Sequence, residues 1–261
     1  MNEIWHSGQA YENFMGRWSR RLAEKFLAWL AVPPGKVWLD LGCGTGSMTH
    51  LILQGYQPQE LFAIDASEGF LAHARQSISD PRVHFSLGLA QSLTLAPHSI
   101  DVAVSGLMLN FVPEPKTVLS QLLKITRPGG SIGIFVWDYA SGMQMLRSFF
   151  DAAIALNPAA HEVDEGERFW VCRPGNLEKL VREAGLQQVE SAGIEIKTVF
   201  ASFEDYWQPF LGGVGPASAY TLSLNPADRQ ALQDRLRQTL PTAEDGSITL
   251  TALAWAVKGT T

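Results

Sequence analysis

Between residues 37 and 137 the chain alternates short, continuous apolar runs with stretches whose apolar residues recur every three or four positions. The runs cover 37–41, 61–64, 83–87, 100–105 and 131–137, each of strand length and several carrying Val, Ile or Phe. The intervening stretches 48–53, 68–78 and 117–125 have helical spacing. Strands that alternate with helices pair in parallel through right-handed crossovers. Helices then cover both faces of the sheet, so each strand is apolar on both sides and reads as a continuous run. The pattern predicts an α/β fold.

The flanks add elements of their own. Leu22, Phe26, Trp29 and Leu30 share one helical face opposite Arg20, Arg21, Glu24 and Lys25, and Pro33-Pro34-Gly35 stops that helix. Residues 138–173 read as an insertion with a helix over 143–156, followed by a helix over 176–184 that Gly185 ends. A sixth strand is expected at 186–198 and a seventh at 248–258. Between them, 199–224 reads as loop, and a helix starts at Asn225 with Pro226 in its first turn. No linker interrupts the chain, so one domain is expected over 1–261. It divides into a helical cap (1–35), an α/β core (36–137), insertions (138–173 and 199–247) and closing elements (174–198 and 248–261).

The densest chemical signal is Val37-Trp38-Leu39-Asp40-Leu41-Gly42-Cys43-Gly44-Thr45-Gly46, a strand running through a glycine turn into a helix. Such a turn lets a ligand approach the backbone closely. Asp65, at the end of the second strand, can accept both hydroxyls of a ribose. A dinucleotide fold would place glycine where Ser47 stands, and no Lys or Arg between Asp40 and His50 offsets a pyrophosphate. Asp40 favours a cationic nucleoside instead.

Composition narrows the partners. The net charge is −6, with 20 Lys and Arg against 26 Asp and Glu, which argues against nucleic acid as a partner. The two cysteines, Cys43 and Cys172, lack zinc-site spacing and suit a reducing compartment. No apolar run approaches a membrane span, and the first residues lack signal-peptide blocks. A soluble, cytoplasmic protein is expected; a homodimer is compatible with the sequence.

The segments Leu39 to Gly46, Ile64-Asp65-Ala66-Ser67, Ile100-Asp101-Val102-Ala103-Val104-Ser105 and Pro128-Gly129-Gly130 resemble the class I S-adenosylmethionine-dependent methyltransferases. The likeness is to their small-molecule branch, which includes the ubiquinone/menaquinone-type C-methyltransferases (methyltransferase type 11). It implies a Rossmann-like three-layer sandwich with a seven-stranded, mostly parallel sheet whose last strand is antiparallel. S-adenosylmethionine would be the cofactor and a small, largely apolar organic molecule the methyl acceptor. Asp65 would then hold the ribose, with Ala66 beside adenine. Gly42, Cys43 and Gly44 would admit the cofactor to the backbone, and Asp40 would order the loop or favour the cation. Ser105 and Leu107 would border the methionine or adenosine, and Leu89, Ala90 and Gln91 the adenine. The segment 11–20 resembles the N-terminal cap of one subgroup, which places Tyr11 and Arg17 at the methionine end. Two departures stand out: Leu89 replaces an Asp that usually accepts from adenine, and Asn110-Phe111 replaces a frequent His-His.

Methyl transfer is an in-line displacement in which alignment and desolvation carry much of the rate. No catalytic triad or metal-ligand spacing is visible. Asp138, after the fifth strand, is a candidate base and also reads as a helix cap. Half of the aromatic residues lie between 135 and 220. Trp137, Tyr139, Tyr206, Trp207 and Phe210 are therefore candidate acceptor contacts, Tyr206 being also a candidate in catalysis. The cluster 200–210 reads either as an apolar lid hinged at the following glycines or as a second core. The alternatives to a methyltransferase are a non-catalytic S-adenosylmethionine-binding regulator and a nicotinamide-dependent oxidoreductase.

Overall fold

The computed structural model describes residues 12–261 except Val214. Seven strands form one sheet: β1 (Val37–Leu41), β2 (Glu60–Asp65), β3 (Val83–Leu87), β4 (Ile100–Gly106), β5 (Thr126–Trp137), β6 (Gln187–Phe200) and β7 (Ile248–Thr260). Their order is β3-β2-β1-β4-β5-β7-β6. The neighbours from β3 to β5 are parallel, and β7 runs antiparallel to both β5 and β6. The last strand is thus the reversed one, inserted between the fifth and the sixth.

Besides a single turn at Glu165–Arg168, the α-helices among the described residues are α1 (Arg17–Leu30), α2 (Ser47–Tyr56), α3 (Glu68–Ser77), α4 (Pro115–Ile125), α5 (Gln144–Leu156), α6 (Asn176–Ala184), α7 (Phe203–Trp207), α8 (Gly215–Ser223) and α9 (Pro226–Thr239). Helix α1 buries Trp18, Leu22, Phe26, Leu27 and Leu30. The Phe26 ring stands 4.6 Å from that of Phe135 on β5. Gly133 makes room for it, since a Cβ there would lie 2.8 Å from Phe26. The basic face of α1 is spent on the sheet. Lys25 Nζ donates to the Glu195 carbonyl at 2.7 Å and Arg21 to the Lys197 carbonyl at 3.4 Å. Both carbonyls belong to the edge strand β6, whose open hydrogen-bonding groups would otherwise invite another chain.

Two sequence expectations need correction. Strand β5 begins at Thr126 rather than 131, extending back through Pro128-Gly129-Gly130 with an irregular register against β4. Residues 199–224, expected as loop, are largely helical: α7, a 3-10 turn Gln208–Leu211, and α8. Ser202 caps α7 by accepting from the Asp205 amide. The Phe210 ring stacks on Phe149 of α5 at 4.5 Å. Burial of these rings against a helix far away in sequence overrides the loop-like Gly and Pro content.

Candidate functional site

The carboxyl ends of β1, β2, β4 and β5 open into one cavity of about 390 Å³. Its floor is the turn after β1, where the Gly42 and Cys43 amides both donate to the Ile64 carbonyl, at 2.7 and 3.1 Å. Gly42 has φ +76° and no room for a side chain: a Cβ would stand 2.6 Å from Met108 Cγ. Gly44, at φ +56°, lines the cavity and has nothing within 4 Å of its Cβ position. Any side chain there would take up ligand space.

Asp65 ends β2 and ties the turn together. Its Oδ2 accepts from the Gly44 amide at 2.9 Å and its Oδ1 from the Ser67 amide at 2.8 Å. Burial raises its pKa above the usual carboxylate range, while the Ser67, Gly44 and Ala66 amides pull it back. Asp40 is fully buried, and its Oδ2 accepts from Thr49 Oγ1 at 2.6 Å. Its Oδ1 has no partner. Burial pushes the carboxyl pKa up to about 7 against the Thr49 hydrogen bond, with the Asp65 charge adding to the rise. Asp40 and Cys43 line a smaller recess of about 60 Å³ that shares Gly42, Gly44 and Leu107 with the main cavity.

Leu107, after β4, adopts φ +58° and donates its amide to the Phe135 carbonyl at 2.8 Å. A left-handed leucine costs about 1 kcal/mol, and such strain gathers at ligand sites. The two sides of the cavity differ in chemistry. Asp65, Ala66, Ser67 and Phe70 line it from β2 and the segment after it; Phe111, Trp137 and Tyr139 line it from β4, β5 and the segments after them, with Met15 coming from the cap. Phe169, from the 138–173 segment, backs the second side with its ring 5.2 Å from Phe111 and 5.5 Å from Tyr139.

Of the residues expected from sequence, Gly42, Gly44, Asp65, Ala66, Leu107, Trp137 and Tyr139 meet in this cavity. Ser105 is buried directly before Gly106, with no partner for its Oγ. Leu89, Ala90 and Gln91 follow β3 outside the residues that line the cavity, and Leu89 is 59% exposed. Tyr11 lies outside the described residues. Met15, Ser67, Phe70, Gly106, Met108 and Phe111 also line the cavity and were not among the residues expected from the sequence. Nor was Glu12, which receives a hydrogen bond from Thr45 Oγ1 and so links the cap to the glycine turn. Phe70, one turn into the helix after Asp65, was the most readable of these.

Several residues named from the sequence lie elsewhere. Arg17 does not reach the cavity: Asp205 holds its guanidinium at 2.9 and 3.2 Å, above the rings of Trp18 and Phe200. Asp138 is 1% exposed and accepts from the Ser141 amide and hydroxyl at 3.0 and 2.8 Å, so its carboxylate builds a turn rather than facing an acceptor. Tyr206 is fully buried, and its hydroxyl donates to the Met145 carbonyl at 2.9 Å. Trp207 and Phe210 are buried beside it. The three form a second core and do not line the cavity. Tyr206→Phe should therefore lower stability by about 1 kcal/mol, read by urea denaturation, and leave ligand affinity unchanged. The Cys43 and Cys172 thiols, both buried, are held well above the usual thiol pKa, as inert packing groups are.

Residues 39–134 match the family model described as a methyltransferase domain. The chain is 30% identical over 176 residues to ubiquinone biosynthesis O-methyltransferase of Burkholderia pseudomallei, covering 64% of this chain and 73% of that one. It is 27% identical over 183 residues to arsenite methyltransferase of Halobacterium salinarum, of which it spans 43%. The match there covers 67% of this chain. The fold is similar to that of Haemonchus contortus phosphoethanolamine N-methyltransferase 2 in complex with S-adenosyl-L-methionine. That likeness has TM-score 0.61 and 15% identity, over 97% of this chain and 56% of the other. A reversed seventh strand, an acid ending β2 beside a glycine turn, and kinship along most of a curated relative lead to one conclusion. The chain belongs to the S-adenosylmethionine-dependent methyltransferases, enzymes that move a methyl group from that cofactor to an acceptor.

Proposed function

We propose that this enzyme methylates a small, largely apolar organic acceptor held between Trp137, Tyr139 and Phe111. The observation that carries this reading is the division of one cavity into a carboxylate-bearing side and an aromatic side. The residues fit the cofactor. Asp65 offers carboxylate oxygens to a ribose, Gly44 leaves open space, and the unpartnered Asp40 Oδ1 suits an ammonium. Ala66 and Phe70 would flank adenine. Leu89 supplies no acidic acceptor for its amino group.

When bound, S-adenosylmethionine supplies an electrophilic methyl on a positively charged sulfur. The chain's contribution is to orient and to exclude water. Trp137 ends β5 and Tyr139 follows it, beside Leu107 after β4, so an apolar ring resting on them would face the cavity. Met15, from the cap, also lines the cavity, and an apolar lining disfavours water beside the reacting groups. The two buried free thiols suit a reducing compartment such as the cytoplasm. No helix among the described residues is long and apolar enough to cross a membrane.

Calorimetry with S-adenosylhomocysteine and with NAD tests the cofactor half: binding of NAD alone overturns the reading. For the acceptor half, Tyr139→Ala should cut turnover on an accepted substrate at least tenfold, a loss of about 1.4 kcal/mol. Its S-adenosylhomocysteine affinity should stay within twofold. Unchanged turnover would remove Tyr139 from the acceptor site.

A further inference from the structure

Between α5 and α6 the chain makes only short turns: 3-10 turns at Pro158–Val163 and Trp170–Cys172, with the helical turn Glu165–Arg168 between them. Turns this short are marginal on their own, so outside contacts fix where they lie. Here the contact is an ion pair. Arg147, in the first turn of α5, reaches Asp164 at 2.5 Å, with side chains only 18% and 4% exposed. The same Asp164 oxygen accepts from the Gly166 amide at 2.8 Å and so starts the helical turn. Gly166 seats that turn on the cavity wall. A Cβ there would stand 2.8 Å from Arg147 Nη1 and 2.9 Å from the Tyr139 carbonyl oxygen. Phe169 comes three residues later, with its ring against those of Phe111 and Tyr139, and both of these line the cavity. Arg147 also borders the second core. Its guanidinium lies 5.6 Å from the Phe150 ring, which packs on Phe149, and Phe149 stacks on Phe210.

Resting on the methyl-transfer reading of the cavity, we infer that Arg147 and Asp164 are positioning residues for the methyl acceptor. The pair holds the Gly166 turn and Phe169 in place, and these in turn hold Tyr139 and Phe111, the rings proposed to carry the acceptor. Neither Arg147 nor Asp164 lines the cavity, so both act through other residues. A nearly buried ion pair is a poor source of stability, because desolvation of the two charges offsets their attraction. What it supplies is one defined placement of a segment that has little structure of its own. That placement matters for rate, since a displacement of about 1 Å in a reacting geometry can cost 100-fold. The second core thereby acquires a part in the reaction: it fixes α5, and α5 presents Arg147 to the turn.

The test follows amide hydrogen exchange by mass spectrometry in the full chain saturated with S-adenosylhomocysteine. The double variant Arg147→Met/Asp164→Asn removes both charges together, so neither is left buried alone, and the new Asn can still accept from Gly166. Exchange in 108–112 and 137–142 should quicken about tenfold, as expected when a local tie is lost. The glycine turn, 40–46, and the second core, 203–211, should stay within about twofold of wild type. Unchanged exchange in 108–112 and 137–142 would overturn the assignment. So would a rise common to all four segments, which is what a purely structural pair would give. Should the double variant fold poorly, Gly166→Ala takes its place, since its Cβ pushes the turn off Tyr139 with the pair intact; the same two segments should respond. The acceptor itself is probed with 2-naphthol, an uncharged two-ring compound, titrated calorimetrically into the same complexes. The variant should bind it about tenfold more weakly than the wild type, with S-adenosylhomocysteine affinity within twofold. Equal binding of 2-naphthol would overturn the positioning role. Failure of the wild type to bind it would instead overturn the apolar-acceptor reading, whatever the exchange shows, and the assignment with it.

Discussion

Asp65→Ala is expected to weaken S-adenosylhomocysteine binding about 100-fold. Hydrogen bonds to a charged group contribute roughly 1.5–3 kcal/mol each, and the upper value corresponds to two decades in affinity. The substitution acts twice. It removes the acceptor proposed for the ribose hydroxyls, and it frees the Gly44 and Ser67 amides that now bind Asp65. The glycine turn would then lose its tie to the end of β2. Asp65→Asn keeps one acceptor oxygen and should lose only about tenfold. Calorimetric affinities within threefold of wild type for both variants would show that the ribose is held elsewhere.

The second large effect concerns pH. The folded pKa of Asp40 is raised from 3.8 to about 7 by burial. A raised folded pKa gives stability that is fully present below pH 4 and is lost as pH climbs through 7. At 1.36 kcal/mol per unit the full loss is on the order of 4 kcal/mol. Asn imitates the protonated acid and can still accept from Thr49, so Asp40→Asn should escape it. Urea denaturation should find the variant gaining on the wild type by that order between pH 4 and pH 8. A constant difference across that range would show that Asp40 does not titrate there. Ligand binding should move the opposite way. An ammonium beside Asp40 favours the ionised form, so wild-type affinity for S-adenosylhomocysteine should rise with pH through 7. Asp40→Asn should lack that rise.

Both predictions concern residues named from sequence, and there is a reason they were legible. Asp65 ends β2 and Asp40 stands one residue before the end of β1, each among apolar neighbours in sequence, so their position near the carboxyl edge of a parallel sheet follows from the local pattern. The turn glycines are equally local, because a positive φ is a property of one residue. Asp138 was open to two readings, base and cap. Its place after β5 was right, but a hydroxyl three residues on, Ser141, captured the carboxylate. The aromatic cluster was open in the same way. Tyr206, Trp207 and Phe210 read either as an acceptor lid or as a second core, and α5, which lies beneath them and absorbs their rings, makes them the core.

The sequence by itself determined the seven strands, most of the helices between them and the cradle, with an acid near the carboxyl end of each of two strands beside a glycine turn. Such features depend on a residue's near neighbours and on burial of both faces of a strand, so periodicity reports them. Which faces meet was decided only in the tertiary structure. Arg17 finds Asp205 across 188 positions, Phe169 comes to rest on Phe111 and Tyr139, and Asn110 is enclosed with no partner of its own. Those pairings arise from packing between segments distant in sequence, where no local spacing carries the information.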